Sequence, residues 1–177
     1  MPLDPSMLNA LNDQVNAELS SAYIYLGMSA SAAYAGFLGS ANWFTAQSQE
    51  EMVHAMKIMN FIIDRGGEVE LKSISAPGLP EITIESISTL PSLQAAHVQE
   101  VIITGSINDL VALSLELGDY ATYQMLQWFV REQVEEENSV REKILKLQRA
   151  EASGTVFLVE QELGTRPVLY TMPVTAL

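Results

Sequence analysis

A carboxylate in the middle of an apolar helical stripe is hard to bury, and this chain carries one on each of its four longest stripes. Phe44, Gln47, Glu51, His54, Ile58, Phe61 and Arg65 follow steps of three and four, the spacing that lines side chains along one face of a helix. Glu51 and His54 therefore sit one turn apart on a face that should be apolar. Burying that carboxylate alone would cost several kcal/mol or force it to protonate. It needs a cation. The same pattern recurs in Leu8, Leu11, Val15, Glu18, Ala22, Tyr25, with Glu18 inside. It recurs in Leu93, Ala96, Glu100, Ile103, Ile107, Leu110, Ser114, Leu117, where Glu100 is the one acid. In Leu126, Phe129, Gln133, Glu136, Val140, Ile144, Leu147, the interruptions are Gln133 and Glu136. Each acid lies in the middle half of its helix, so antiparallel packing brings all four to a similar depth.

Punctuation predicts five helices in a single domain over 1–177, at about 5–35, 40–66, 90–117, 119–152 and 155–163. Asp4-Pro5 is a cap followed by proline at the first helical position. Gly39-Ser40 opens the second helix, Gly66-Gly67 closes it, and Gly154 and Gly164 stop the last two. From Glu68 to Thr89, Pro77, Gly78 and Pro80 break any helix. A connection this long is unusual inside a bundle. At roughly 3.3 Å per extended residue it can run the length of a helix of about 27 residues, roughly 40 Å, and so join two parallel helices. The expected class is all-α: a four-helix bundle with a long crossover between the second and third helices, plus a short fifth helix. An apolar tail, 165–177, follows.

The 22 acidic residues outnumber the 9 basic ones, for a net charge of −13. That argues against nucleic-acid backbone as a partner and suits cation handling. With no cysteine, thiolate metal sites and disulfides are excluded. The N-terminus lacks a basic region followed by an apolar run, so no signal peptide is expected, and the expected location is cytoplasmic. The stretch Leu19–Gln49 has no charged residue. It is too rich in Ser, Ala, Gly, Asn and Gln for a membrane span, which needs about 20 apolar residues. The expectation is a helix face covered by another subunit.

Four converging carboxylates without a metal would repel one another and take up protons. An oxygen-rich site with an imidazole suits iron or manganese, and a bridging carboxylate suits a metal pair. Carboxylate-bridged di-metal bundles follow this template. The segments Leu11-Asn12-Asp13-Gln14-Val15-Asn16-Ala17-Glu18, Gln49-Glu50-Glu51-Met52-Val53-His54, Ile107-Asn108-Asp109-Leu110 and Leu126 through Glu137 carry a resemblance to the non-haem ferritins of bacteria and archaea. It extends over nearly all of residues 6 to 163.

The resemblance implies two irons per subunit. Glu18, Glu51 and His54 would hold the first, Glu51 would bridge, and Glu100 with Glu136 would hold the second. Gln133 would bond a water or oxygen ligand beside the pair, and Tyr25 would hydrogen-bond the site and take part in oxidation. Glu50, Glu132 and Glu135 match the acids of a third, inner iron site. The implied activity is ferroxidation: Fe(II) oxidised by O2, or by H2O2, with Fe(III) mineral stored in a homo-oligomeric shell of 24 subunits. Gln133-x-x-Glu136 replaces the second Glu-x-x-His of bacterioferritins. Haem is not expected, although Met52 stands where bacterioferritins carry their haem ligand. Tyr123 and Leu126 replace the channel acids of animal ferritins. The competing readings are a non-catalytic iron carrier or structural cage subunit, and another di-iron bundle oxidase or peroxidase.

Overall fold

The computed structural model describes residues 2–75 and 78–169. Five helices and no strand occur among them: α1 Pro5–Tyr34, α2 Leu38–Asp64, α3 Leu90–Glu116, α4 Tyr120–Ser153 and α5 Val156–Leu163. Asp4 caps α1 by accepting from the Ser6 amide at 2.8 Å. Asp119 caps α4 by accepting from the Thr122 amide at 3.1 Å. The Asp119 carboxylate also takes both terminal nitrogens of Arg65, at 3.1 and 3.0 Å. One fork-to-fork pair thus ties the end of α2 to the start of α4. Gly36, Gly66, Gly118 and Gly154 close the four long helices in the left-handed region, which costs a side-chain-bearing residue energy.

Two apolar clusters form the core, one at each end of the bundle. The first contains Tyr25, Met28, Phe44, Leu93, Val140 and Leu147. The second contains Leu11, Val15, Ile58, Ile107, Leu126 and Phe129. Between them every long helix contributes buried polar side chains: Glu18 from α1, Gln47, Glu51 and His54 from α2, Glu100 from α3, Gln133 and Glu136 from α4. The order in which each helix meets the two clusters fixes its direction. α1 and α4 run from the second cluster to the first, α2 and α3 from the first to the second. α2 and α3 are therefore parallel, and residues 65–89 must return the whole length of the bundle between them.

That return is laid along α1 by two asparagines. Asn12 donates to the Glu68 carbonyl at 3.0 Å and accepts from the Glu70 amide at 2.8 Å. One turn later Asn16 donates to the Glu70 carbonyl at 2.8 Å and accepts from the Lys72 amide at 2.7 Å. Each side-chain amide pairs with crossover backbone as a neighbouring strand would, satisfying groups that burial would leave orphaned.

In the charge-free stretch, Tyr23, Leu26, Tyr34 and Leu38 stand exposed on this single chain. α3 is the helix, among the described residues, long and apolar enough to cross a membrane by composition. Its inner face nonetheless carries buried Glu100. Val98, Val101 and Ile102 supply much of its apolarity from the outside. Leu126 is fully buried. Past α5 the described tail folds back on α2, where Asn42 donates to the Arg166 carbonyl at 2.8 Å. The remaining tail residues, 170–177, lie outside the described residues.

Gly39 lies inside the first turn of α2 rather than ahead of it, and the cause is α5. A β-carbon at Gly39 would stand 1.9 Å from the Glu160 carbonyl oxygen. The Glu160 carboxylate meanwhile accepts from the Ser40 amide at 3.0 Å and from the Ser40 hydroxyl, serving as the missing cap of α2. Gly39→Ala is expected to lower stability by about 1–3 kcal/mol, the usual cost of overpacking. Amide exchange in Val156–Leu163 should rise to the rate of free chain while α1 stays protected.

Candidate metal centre

Glu18, Glu51 and His54 each offer a ligand atom, and the three atoms lie within 4.8 Å of one another. All three residues are buried. The helix register explains the grouping. Glu51 and His54 are one turn apart on α2, and α1 packs against α2 with Glu18 at the same height. His54 Nδ1 is 3.3 Å from a Glu51 carboxylate oxygen, yet neither atom makes a hydrogen bond, and nor does Glu18 Oε2. Buried polar atoms are almost always paired. Three unpaired acceptors within one small volume suit a cation: two carboxylate oxygens and an imidazole nitrogen form a donor set that iron accepts.

Glu100 and Glu136 complete the polar layer from α3 and α4. The Tyr25 hydroxyl donates to Glu100, and Gln133 Nε2 lies 3.4 Å from the same carboxylate. Gln47 donates to Glu136 at 2.9 Å. On the α1 side Gln14 donates to Glu18 at 2.8 Å. Gln14 and Gln47 are positioning residues that sequence reasoning missed. The signal for Gln14 was its place four residues before Glu18 on the same helix face, whereas Gln47 reaches across the bundle to Glu136 and no helical spacing reveals that. His54 is boxed by aromatic rings, with Trp128 at 5.4 Å and Phe129 at 5.9 Å between centroids, both edge-on. His97, one turn before Glu100, faces away from the centre onto a groove between α3 and α4.

Glu50, Glu132 and Glu135 do not join this layer. They line a cavity of about 240 Å³ between α2 and α4 that His54 and Glu136 also wall. The structure thus gathers the sequence-selected acids into two adjoining groups, one buried and one opening outward.

Burial is the largest influence on the acids, in the layer and at Glu50 alike. Burial, reinforced by the Glu51 charge, pushes the Glu18 carboxyl up to about 8, with the Gln14 bond pulling the other way. Burial also drives Glu51 well above the usual carboxylate range, and Glu100 adds to it. Glu100 is pushed up to about 7, mainly by burial, despite the Tyr25 hydrogen bond. The Tyr25 hydroxyl is held well above its ordinary value by burial and by Glu100. Raised in this way, Glu18, Glu51 and Glu100 favour their protonated forms, so a cation bound by them would release protons.

Fold and acid layer together define a four-helix bundle with a carboxylate-lined centre. The family model Ferritin, a ferritin-like domain, matches residues 8–150. The bacterial non-heme ferritin of Staphylococcus aureus (strain MRSA252) is 38% identical over 165 residues, covering 93% of this chain and 96% of that protein. That of Staphylococcus haemolyticus (strain JCSC1435) is 38% identical over the same shares of both chains. Among solved structures, an open-pore ferritin from the hyperthermophilic archaeon Archaeoglobus fulgidus matches with a TM-score of 0.86 at 38% identity. That match covers 93% of this chain and 99% of the archaeal one. The chain belongs to the ferritin family of iron-storage proteins.

The Glu18 carboxyl at about 8 stands above the ordinary 4.5. A raised carboxyl leaves folding unpenalised below the ordinary value, and that stability is lost as pH rises through the folded value. Urea unfolding of the metal-free protein should therefore show stability falling from pH 5 to pH 8. Glu18→Gln should flatten that fall, gaining on the order of 3 kcal/mol relative to wild type at pH 8.

Proposed function

We propose that this chain is a ferroxidase subunit: it oxidises Fe(II) with O2 at the buried centre and delivers Fe(III) to a mineral store inside a shell of identical subunits. The observation that carries the reading is the trio of buried, hydrogen-bond-free ligand atoms on Glu18, Glu51 and His54, with Glu100 and Glu136 buried beside them. Glu18, Glu51 and His54 take the first Fe(II), Glu51 is shared, and Glu100 with Glu136 takes the second. Four carboxylates offset the charge of two divalent ions, and the protons held by Glu18, Glu51 and Glu100 leave as the ions enter. Gln14 and Gln47 hold Glu18 and Glu136 in place, so little reorganisation accompanies binding. Gln133 presents an amide donor beside Glu100 for an oxygen ligand. Tyr25 keeps its proton and orients Glu100.

Two Fe(II) give one electron each to O2, and two protons complete its reduction to H2O2. Product Fe(III) moves through the adjoining cavity past Glu50, Glu132 and Glu135, which act as a third, inner cation position. Exposed Tyr23, Leu26 and Tyr34 on α1, and Val98, Val101 and Ile102 on α3, support burial against further copies of the chain. The cage is read as the 24-subunit shell of ferritins, in the cytoplasm and without haem.

O2 uptake and ferric absorbance after adding two Fe(II) per chain test the reading. Wild type should show a fast phase, and Glu51→Ala should slow it at least about a hundredfold, leaving solution oxidation. Equal, slow oxidation in both would overturn catalysis and leave a non-catalytic iron carrier.

A further inference from the structure

The cavity beside the centre holds one charged side chain that the proposed reaction does not use. Arg166 lines it together with Glu50, Glu132, Glu135, Glu136 and His54. Its Nη2 pairs with the Glu50 carboxylate, and the two side chains are 21% and 38% exposed. Its guanidinium carbon stands 5.1 Å from the Trp43 ring centroid, and its Nη1 is buried without a hydrogen-bond partner. The segment carrying it is fastened to α2 on both sides. Asn42 donates to the Arg166 carbonyl at 2.8 Å, and the Leu169 amide donates to Gln49 Oε1 at 2.6 Å. Among the described residues lining the cavity, Arg166 carries the one guanidinium or ammonium group.

We infer that Arg166 is the built-in counter-cation of the inner acid position: its guanidinium occupies Glu50 until an incoming metal ion displaces it. This rests on the reading that Glu50, Glu132 and Glu135 take a cation. A guanidinium stays charged at every accessible pH, so protonation cannot vacate the position. Only another cation competes. The tether keeps the guanidinium at high local concentration and so lowers the apparent affinity of the position for metal. Trp43 gives the displaced group a second resting place, since a delocalised cation is attracted to an aromatic face. Occupancy of the inner position is thereby kept weaker than that of the buried centre, and an ion reaching it is released rather than retained.

Zn²⁺, which is redox-inert, separates this from the catalytic reading. Calorimetric titration of the metal-free protein should resolve a tight class at the buried centre and a weaker class. Arg166→Gln should tighten the weaker class by about fivefold or more, the scale of a partly exposed ion pair, and leave the tight class alone. Glu50→Gln should abolish the weaker class. In a Trp128→Phe background Trp43 is the sole tryptophan. Its fluorescence should step as the weaker class fills, and Arg166→Gln should remove that step. A weaker class lost in Glu50→Gln but untouched by Arg166→Gln would overturn the role of Arg166 alone. No weaker class in either wild type or Arg166→Gln would overturn the inner position itself, and this inference with it.

Discussion

Four carboxylates buried in one layer of a helical bundle must be neutralised, and most of the architecture follows from that need. The layer cuts the core in two, so neither apolar cluster runs the length of the bundle. Each helix reaches the layer near its middle, which sets how the helices are staggered. Because the acids come from all four long helices, every helix must present its inner face at the same height, and the parallel pair α2 and α3 then requires a full-length return. The donors around the layer, Gln14, Gln47, Tyr25 and Gln133, fit the same logic. Each is a neutral group that fixes a carboxylate without cancelling its charge, leaving the charge for a cation.

The part of this that is legible in the sequence is the part governed by helical period. Glu18, Glu51, Glu100 and Glu136 could be placed inside because each interrupts an apolar stripe of its own helix. The crossover could be placed because Pro77, Gly78 and Pro80 forbid helix there. Contacts between distant segments were not legible. Asn12 and Asn16 look like ordinary surface residues until the crossover lies beside them. Gly39 looks like a helix start, although its lack of a side chain serves the approach of Glu160, about 120 residues away in the chain. Arg166 falls in a tail whose composition suggests nothing, and its partner Glu50 is chosen by the path of the backbone after α5. Burial and period are local signals, whereas pairing across the bundle depends on a topology that no single window contains.

The two acid groups answer different physical demands. In the buried layer desolvation dominates, and it raises the Glu18, Glu51 and Glu100 carboxyls above their ordinary value. In the outward cavity the acids are partly solvated and a tethered guanidinium stands at one of them. A cation passing from one to the other would exchange protons at the first and a side chain at the second. Neither exchange leaves an uncompensated charge in a low-dielectric place.

The directions of the helices have a further consequence, for the order in which the centre can be assembled. α1 with α2, and α3 with α4, are two antiparallel hairpins closed by short turns, and such local units form ahead of pairings that need a long loop closed. The first hairpin already contains Glu18, Glu51 and His54. The second brings Glu100 and Glu136. The buried acid layer is thus split along the seam where the two halves dock. In a chain made from its N-terminus, Glu18, Glu51 and His54 precede the residues that carry Glu100 and Glu136, and a cation held by the first three would draw the second hairpin's carboxylates in as the bundle closes.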